Sequence, residues 1–212
     1  MPKPFFLKFY IEYIGIFLFI GFLVFFTLAS RYAFLSPANI RTLLKLIPEF
    51  GIVAVAVGLL MISGEIDLSV SSTIPSCAYV FSLLFMAGMN VFLIVSVVLG
   101  LGLFIGLING VITVRARIPS FMTTLGTMML LRGILYAHSG MLTIAMRRYL
   151  VDEPLLVQFF TGEVAGVPVQ FLWFILIALI FGIVLHFHKL GWWIYATGGN
   201  KEAARAMGIK TD

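Results

Sequence analysis

Apolar runs of about twenty residues, each closed by a short polar link, follow one another along this chain. Wound as an α-helix at about 1.5 Å per residue, such a run matches a hydrocarbon core about 30 Å thick. About six runs can be counted. The expected fold is therefore an all-α, polytopic transmembrane helix bundle, a single domain over residues 1–212. Charged residues make up only 11% of the chain and mean hydropathy is +1.11, whereas ordinary soluble domains carry about 25% charge. A water-soluble core of this composition would aggregate, so the lipid bilayer is the first partner expected.

The formal net charge is +5, yet most of its Lys and Arg residues sit in the links between runs. There they act as topology anchors, and no nucleic-acid partner is expected. Cys77 is the sole cysteine; neither an intrachain disulfide nor a Cys-type zinc site is available to it. His186 and His188, two apart near an interface, face different sides of a helix, which favours packing over metal binding. No metal site is expected.

The first run, from Ile14 to near Ala29, follows Lys3 and Lys8. It is longer and more aromatic than the h-region of a cleavable signal, so a retained, lipid-facing span is expected, with cleavage the alternative. After Pro37 and Asn39, a candidate helix cap, the second span runs from about Thr42 to Ser63, with Pro48 and Glu49 near its start. A third covers about Val70 to Gly88. In the fourth, about Val91 to Val114, Gly102, Gly106 and Gly110 recur at every fourth position, a stripe expected to let a second helix approach closely. Arg115 and Arg117 precede Pro119, which opens a fifth span reaching about Ala137. Residues 139–169 change character, with Arg147, Arg148, Asp152, Glu153 and Glu163, and read as one long extracytoplasmic loop. The sixth span, about Phe171 to Phe187, is framed by Trp173 on one side and Trp192 with Trp193 on the other.

Counting spans sets the orientation. With the N-terminus in the cytoplasm, Lys3, Lys8, Arg115, Arg117, Lys189, Lys201, Arg205 and Lys210 fall inside, against Arg31, Arg41, Lys45, Arg147 and Arg148 outside. The positive-inside bias favours that arrangement.

Between the second and third spans lies "LLMISGEIDLSVSS", Leu59 to Ser72. A carboxylate at mid-membrane costs about 2.5–3.5 kcal/mol on an insertion scale. Glu65 and Asp67 therefore belong at an interface, in a wet cavity or against a partner charge. Gly64 and Ser63 break the helix, and the hydroxyls of Ser69, Ser71, Ser72 and Thr73 are placed to cap the next one. Gly64, Glu65, Asp67 and Ser69 thus define an acidic helix break near the cytoplasmic side. Elsewhere, Asn109, Thr123, Thr124 and Thr127 are candidates to line a polar path, or to tie helices together. Helix rise puts Glu49 and Arg132 at nearly the same depth, a candidate buried ion pair.

Three segments, "ISGEIDLSVSS", "RIPSFMTTLGTMMLLRGI" and "YATGGNKEAARAMGIK", resemble the motifs of permease subunits from bacterial sugar-type ABC importers. That group comprises ribose, xylose and galactose permeases together with autoinducer-2 and nucleoside carriers. The resemblance covers most of the chain from the second span onward. It implies a path for a monosaccharide or similar small polar solute across the bacterial inner membrane, coupled to a separate cytoplasmic ATPase. A second permease subunit, identical or not, and an extracytoplasmic solute-binding protein would complete the assembly. The tail, residues 198–209, would be the coupling helix that fits the ATPase, with that role falling on Asn200, Glu202, Ala203, Ala204, Arg205 and Gly208. Gly198 and Gly199 would form its hinge.

Two departures from the family pattern stand out. Glu65 and Ser71 replace glycines of the acidic break, and family members usually continue through further helices after the coupling segment. A truncated chain is the expectation. These 212 residues contain no Gly-x-x-x-x-Gly-Lys-Ser/Thr phosphate loop and no hydrolytic constellation. The resemblance therefore implies no catalytic residue and no cofactor on this chain, with ATP and Mg held by the partner ATPase. Two other readings stay open from the residues alone: an ion-coupled secondary transporter, with Glu65 and Asp67 binding Na+ or H+ at broken helices, and a non-transporting membrane scaffold.

Overall fold

The computed structural model describes residues 5–140, 144, 146 and 154–211. Lys3, Arg147, Arg148, Asp152 and Glu153 lie outside the described residues. The elements in order are α1 Phe5–Ala29, α2 Pro37–Ile62, α3 Val70–Met86, α4 Val91–Ala116, α5 Ser120–Ser139, α6 Pro154–Thr161, a hairpin of β1 Glu163–Val164 and β2 Val167–Pro168, α7 Val169–Phe187, α8 Lys189–Gly199 and α9 Lys201–Ala206. A short 3-10 turn, Ala33–Leu35, joins α1 to α2. Each of the six expected spans is a helix.

Among the described residues, α2, α4 and α7 are long and apolar enough to cross a membrane, and Tyr13–Ala29 and Val70–Met86 are shorter apolar helices. The 20-residue α5 is less apolar because Ser120, Thr123, Thr124, Gly126, Thr127 and Arg132 interrupt it. Large apolar side chains such as Phe92, Leu103 and Phe104 face outward, while the buried positions are mostly hydroxyl and amide residues. That inversion suits a bundle whose solvent is lipid.

Helix ends follow local chemistry. Ser36, not Asn39, caps α2: its Oγ accepts from the Asn39 amide at 3.4 Å, and Pro37 occupies the first helical position. Asn39 lies inside the helix and donates from Nδ2 to the Phe34 carbonyl at 2.6 Å. At its far end α2 stops at Gly64, whose φ of +89° is ordinary only for glycine. The Glu65 amide then reaches back to the Leu60 carbonyl at 3.2 Å, closing a Schellman motif. The same device ends α3 at Gly88 and α9 at Gly208.

The helices sort into two groups. In one, α7 lies along α2, with α6, the hairpin, α8 and α9 attached; in the other, α3, α4 and α5 pack on one another. Lys45 of α2 pairs with Glu163 of the hairpin at 3.2 Å, and Trp173 Nε1 donates to the Phe159 carbonyl at 3.3 Å, fastening α6 to α7. α1 touches mainly the turn that follows it, through stacked Phe22, Phe26 and Phe34 rings. Its exposed aromatic surface matches a lipid-facing span.

Two expectations are corrected here. Among the described residues of this chain no helix lies against Gly102, Gly106 or Gly110, since a Cβ at any of the three would meet nothing within 4 Å. α4 instead uses the face carrying Ile94, Ile105 and Asn109, all buried. Nor are Gly198 and Gly199 a hinge: both belong to α8, and the chain turns at His188 and Asn200, which have extended backbone. His188 caps α8, its Nδ1 accepting from the Leu190 amide at 3.2 Å. Gly198 is small for a different reason, given below.

Candidate functional site

The break between α2 and α3, residues 63–69, is held from both sides. Downstream, the Ile66 amide donates to Ser120 Oγ at 3.2 Å and the Leu68 amide to Thr124 Oγ1 at 3.1 Å, so α5 supplies the partners that a missing helical turn leaves wanting. The Thr124 hydroxyl is itself anchored on the Ser120 carbonyl at 2.8 Å.

A hydrogen-bond chain crosses to α4. Thr127 Oγ1 donates to Asn109 Oδ1 at 2.6 Å, Asn109 Nδ2 to Ser69 Oγ at 3.0 Å, and the Ser69 hydroxyl to Asp67 Oδ1 at 2.6 Å. The Ser69 amide donates to the same carboxylate oxygen at 2.7 Å. Every donor in the chain points toward Asp67, so the bonds polarise one another and end on a charge. Asp67 therefore closes the start of α3. The expected capping hydroxyls act otherwise: Ser71 and Thr73 donate to the Leu68 and Ser69 carbonyls, and the Ser72 hydroxyl has no partner among the described residues.

Upstream, Glu65 pairs with Lys201, the first residue of α9, at 3.5 Å. Here Gly198 earns its place: a Cβ on it would strike the Ile62 carbonyl, and its Cα lies 3.7 Å from where a Cβ of Gly64 would stand. The end of α8 thus rests directly on the end of α2. Sequence reasoning missed Ser120 and Lys201 as partners of the break, because contacts spanning dozens of residues leave no trace in local spacing.

A cavity of about 380 Å³ opens between the two groups. Glu65, Asp67, Asn109, Thr124, Trp193 and Lys201 are among its walls. Gly106 and Gly110 also border it, so the glycine stripe faces open space rather than a helix. Thr123 and Thr127 lie off this cavity, and the buried Thr123 hydroxyl has no partner among the described residues.

α9 is a short helix with a designed start and stop. Asn200 Oδ1 accepts from the Ala203 amide at 2.9 Å and Gly208 ends the helix. Ala204 is fully buried, whereas Glu202, Ala203, Ala206 and Met207 are exposed, Met207 by 71%. Arg205 Nε donates to Thr211 Oγ1 at 2.9 Å. A second groove at this end is lined by Glu65, Arg115, Arg117, Lys201 and Arg205, which places the break, the α4–α5 link and the tail together.

Glu49 and Arg132 form no salt bridge. Glu49 borders an apolar groove with Ile52, Val53, Gln170 and Trp173, while α5, which carries Arg132, packs on α3 and α4. Equal depth along two helices does not make those helices neighbours. Among the described residues, no group of three His, Cys, Asp or Glu side chains could hold a metal ion.

A polytopic helical membrane protein, with a polar break stitched into its bundle and a capped helix seated against that break, is the class this arrangement defines. Residues 39–212 match the family described as branched-chain amino acid transport system / permease component, and the chain belongs to that family. It is 34% identical over 187 residues to the xylose/arabinose import permease protein XylH of Sulfolobus acidocaldarius, covering 85% of this chain and 50% of that protein. Against the ribose import permease protein RbsC of Haemophilus influenzae it is 31% identical over 182 residues, covering 84% and 55%. Against the autoinducer 2 import system permease protein LsrD of Klebsiella pneumoniae it is 33% identical over 163 residues, covering 76% and 49%. The chain spans about half the length of these relatives. No solved structure matches it.

Proposed function

We propose that this chain is the membrane-spanning permease subunit of an ABC importer, contributing to the path of a monosaccharide or similar small polar solute. Relatives named for xylose, arabinose and ribose import support that solute class. The carrying observation is the seating of α9: its buried Ala204 fixes it to the fold, while Glu202, Ala203, Ala206 and Met207 remain on its outer face. Such a face fits a cleft in a cytoplasmic ATPase, which binds ATP and Mg and does the hydrolysis. In this reading Asn200 and Gly208 shape the helix, Glu202, Ala203 and Arg205 meet the ATPase, and Ala204 anchors the helix. The N-terminus and α9 are cytoplasmic, and residues 139–169 face an external solute-binding protein. A second permease subunit completes the path. Asn109 and Thr124 line it, and the α9 end of the molecule is its inner mouth.

The test is made on the assembled transporter in membrane vesicles. Ala203→Arg and Met207→Arg place bulk and charge on the exposed face without touching the core. Each is expected to lower ATP-driven uptake by about tenfold, the effect of losing one good interface contact, with the chain still inserted at normal levels. Uptake at the unsubstituted rate in both variants overturns the reading.

A further inference from the structure

We propose that the acidic break is a hinge between the two helix groups, and that Glu65 and Lys201 form the latch that holds it shut at the α9 end. The inference rests on the reading of α9 as the ATPase-facing helix and deepens it.

Within the six residues 64–69 the chain passes from one group to the other. At Gly64 the backbone is seated against Gly198 of α8. From Ile66 to Ser69 it is bound by Ser120 and Thr124 of α5 and Asn109 of α4. The two attachments differ in kind. The downstream one is a set of hydrogen bonds that, apart from the exposed Ile66–Ser120 bond, lie on buried or part-buried groups, with Ser69 at 1% exposure and Thr124 at 3%; breaking it would strand polar atoms. The upstream one consists of a backbone contact that only a glycine at 198 allows, plus one ion pair whose side chains are 44% and 34% exposed. An exposed pair of this kind shifts an equilibrium by up to about fivefold. It is strong enough to bias two states and weak enough to part.

Lys201 is where a pull on α9 first arrives. Displacing α9 separates Lys201 from Glu65 before it disturbs any bond of the downstream set. The cavity of about 380 Å³ lies between the same two groups, and Glu65, Asp67 and Lys201 are on its wall. Opening the latch therefore widens the cavity at the α9 end, while the Asp67 network keeps α3, α4 and α5 together as one body. Lys201 and Glu65 are positioning residues: they touch neither ATP nor the reacting phosphate.

Complete transporter in vesicles is assayed for ATP hydrolysed per solute moved in Glu65→Lys, Lys201→Glu and the double swap, alongside Glu65→Gln, Lys201→Gln and their double. Each single charge reversal is expected to raise that ratio by about fivefold. The double swap should return it to within about twofold, and Lys201→Gln should add nothing once Glu65 is Gln. Losses that multiply in both doubles overturn the latch. Thermal unfolding of the purified chain in detergent, run on the same variants, reports the pair without any ATPase. Non-additivity in unfolding with none in the coupling ratio makes the pair a static tie and also overturns the proposal. If Ala203→Arg or Met207→Arg uncouples the transporter while the charge cycles are additive, the latch alone fails; if neither changes uptake, the ATPase reading fails.

Discussion

Thr123 and Thr124 are neighbours on α5 and both are buried, yet their hydroxyls lead different lives. Thr124 Oγ1 receives the Leu68 amide and donates within its own helix, whereas Thr123 Oγ1 has no partner among the described residues. Thr124→Val is expected to destabilise the purified chain by about 1–2 kcal/mol, since it strands a backbone amide. Thr123→Val should lie within about 0.5 kcal/mol of neutral or stabilise slightly. Thermal unfolding in detergent separates the two, and equal losses would mean the break is not held by Thr124. Composition flagged both threonines, with Asn109 and Thr127, as polar residues on apolar helices. It did not rank them, because a hydroxyl that ties helices and one that lines a path look alike in a string of letters. The pairing of Glu49 with Arg132 failed for a related reason: helical rise gives depth, and neighbours are set by packing.

At the scale of elements, the six long helices were legible because each apolar run is closed by a residue that stops a helix for a definable reason. Gly64, Gly88 and Pro119 mark such boundaries. α8 was not legible. Lys189–Gly199 is a mixed stretch whose last two residues, Gly198 and Gly199, imitate a flexible link, and the close contact that demands Gly198 comes from the carbonyl of Ile62, far away in sequence. Two substitutions separate conformational from steric need. Gly64→Ala forces a left-handed backbone on an L-residue and should cost about 1–2 kcal/mol. Gly198→Ala must lift α8 off α2, so it should cost more and expose the α2–α8 seam to proteolysis. Resistance to protease equal to that of the unsubstituted chain would mean that α8 does not rest on α2. Asn200→Ala, which removes the side-chain acceptor for the Ala203 amide, should cost about 1 kcal/mol in thermal unfolding and, on the proposed reading of α9, weaken ATPase docking more than membrane insertion.

For the molecule as a whole, the grouping of α2 with α6–α9 and of α3 with α4 and α5 makes the space between them the natural place for change. Gly106 is on that boundary and nothing among the described residues stands over it. Gly106→Leu is expected to leave unfolding temperature nearly unchanged while lowering solute uptake several-fold, because it fills room rather than breaking contacts; an undiminished uptake would remove the cavity from the path. One earlier detail bears on how such a protein could be interrogated. α2 is tethered by charge at two points, through Lys45 in its first half with Glu163 and through Glu65 just past its end with Lys201, and Lys45 lies about 25 Å along the helix from its last residue, Ile62. That span is close to the thickness of a bilayer core, so in the proposed topology, with residues 139–169 external and α9 cytoplasmic, the two tethers bathe in different aqueous compartments. Since electrolyte weakens exposed ion pairs, salt added to one side of a sealed vesicle would slacken one end of the rod and leave the other fast.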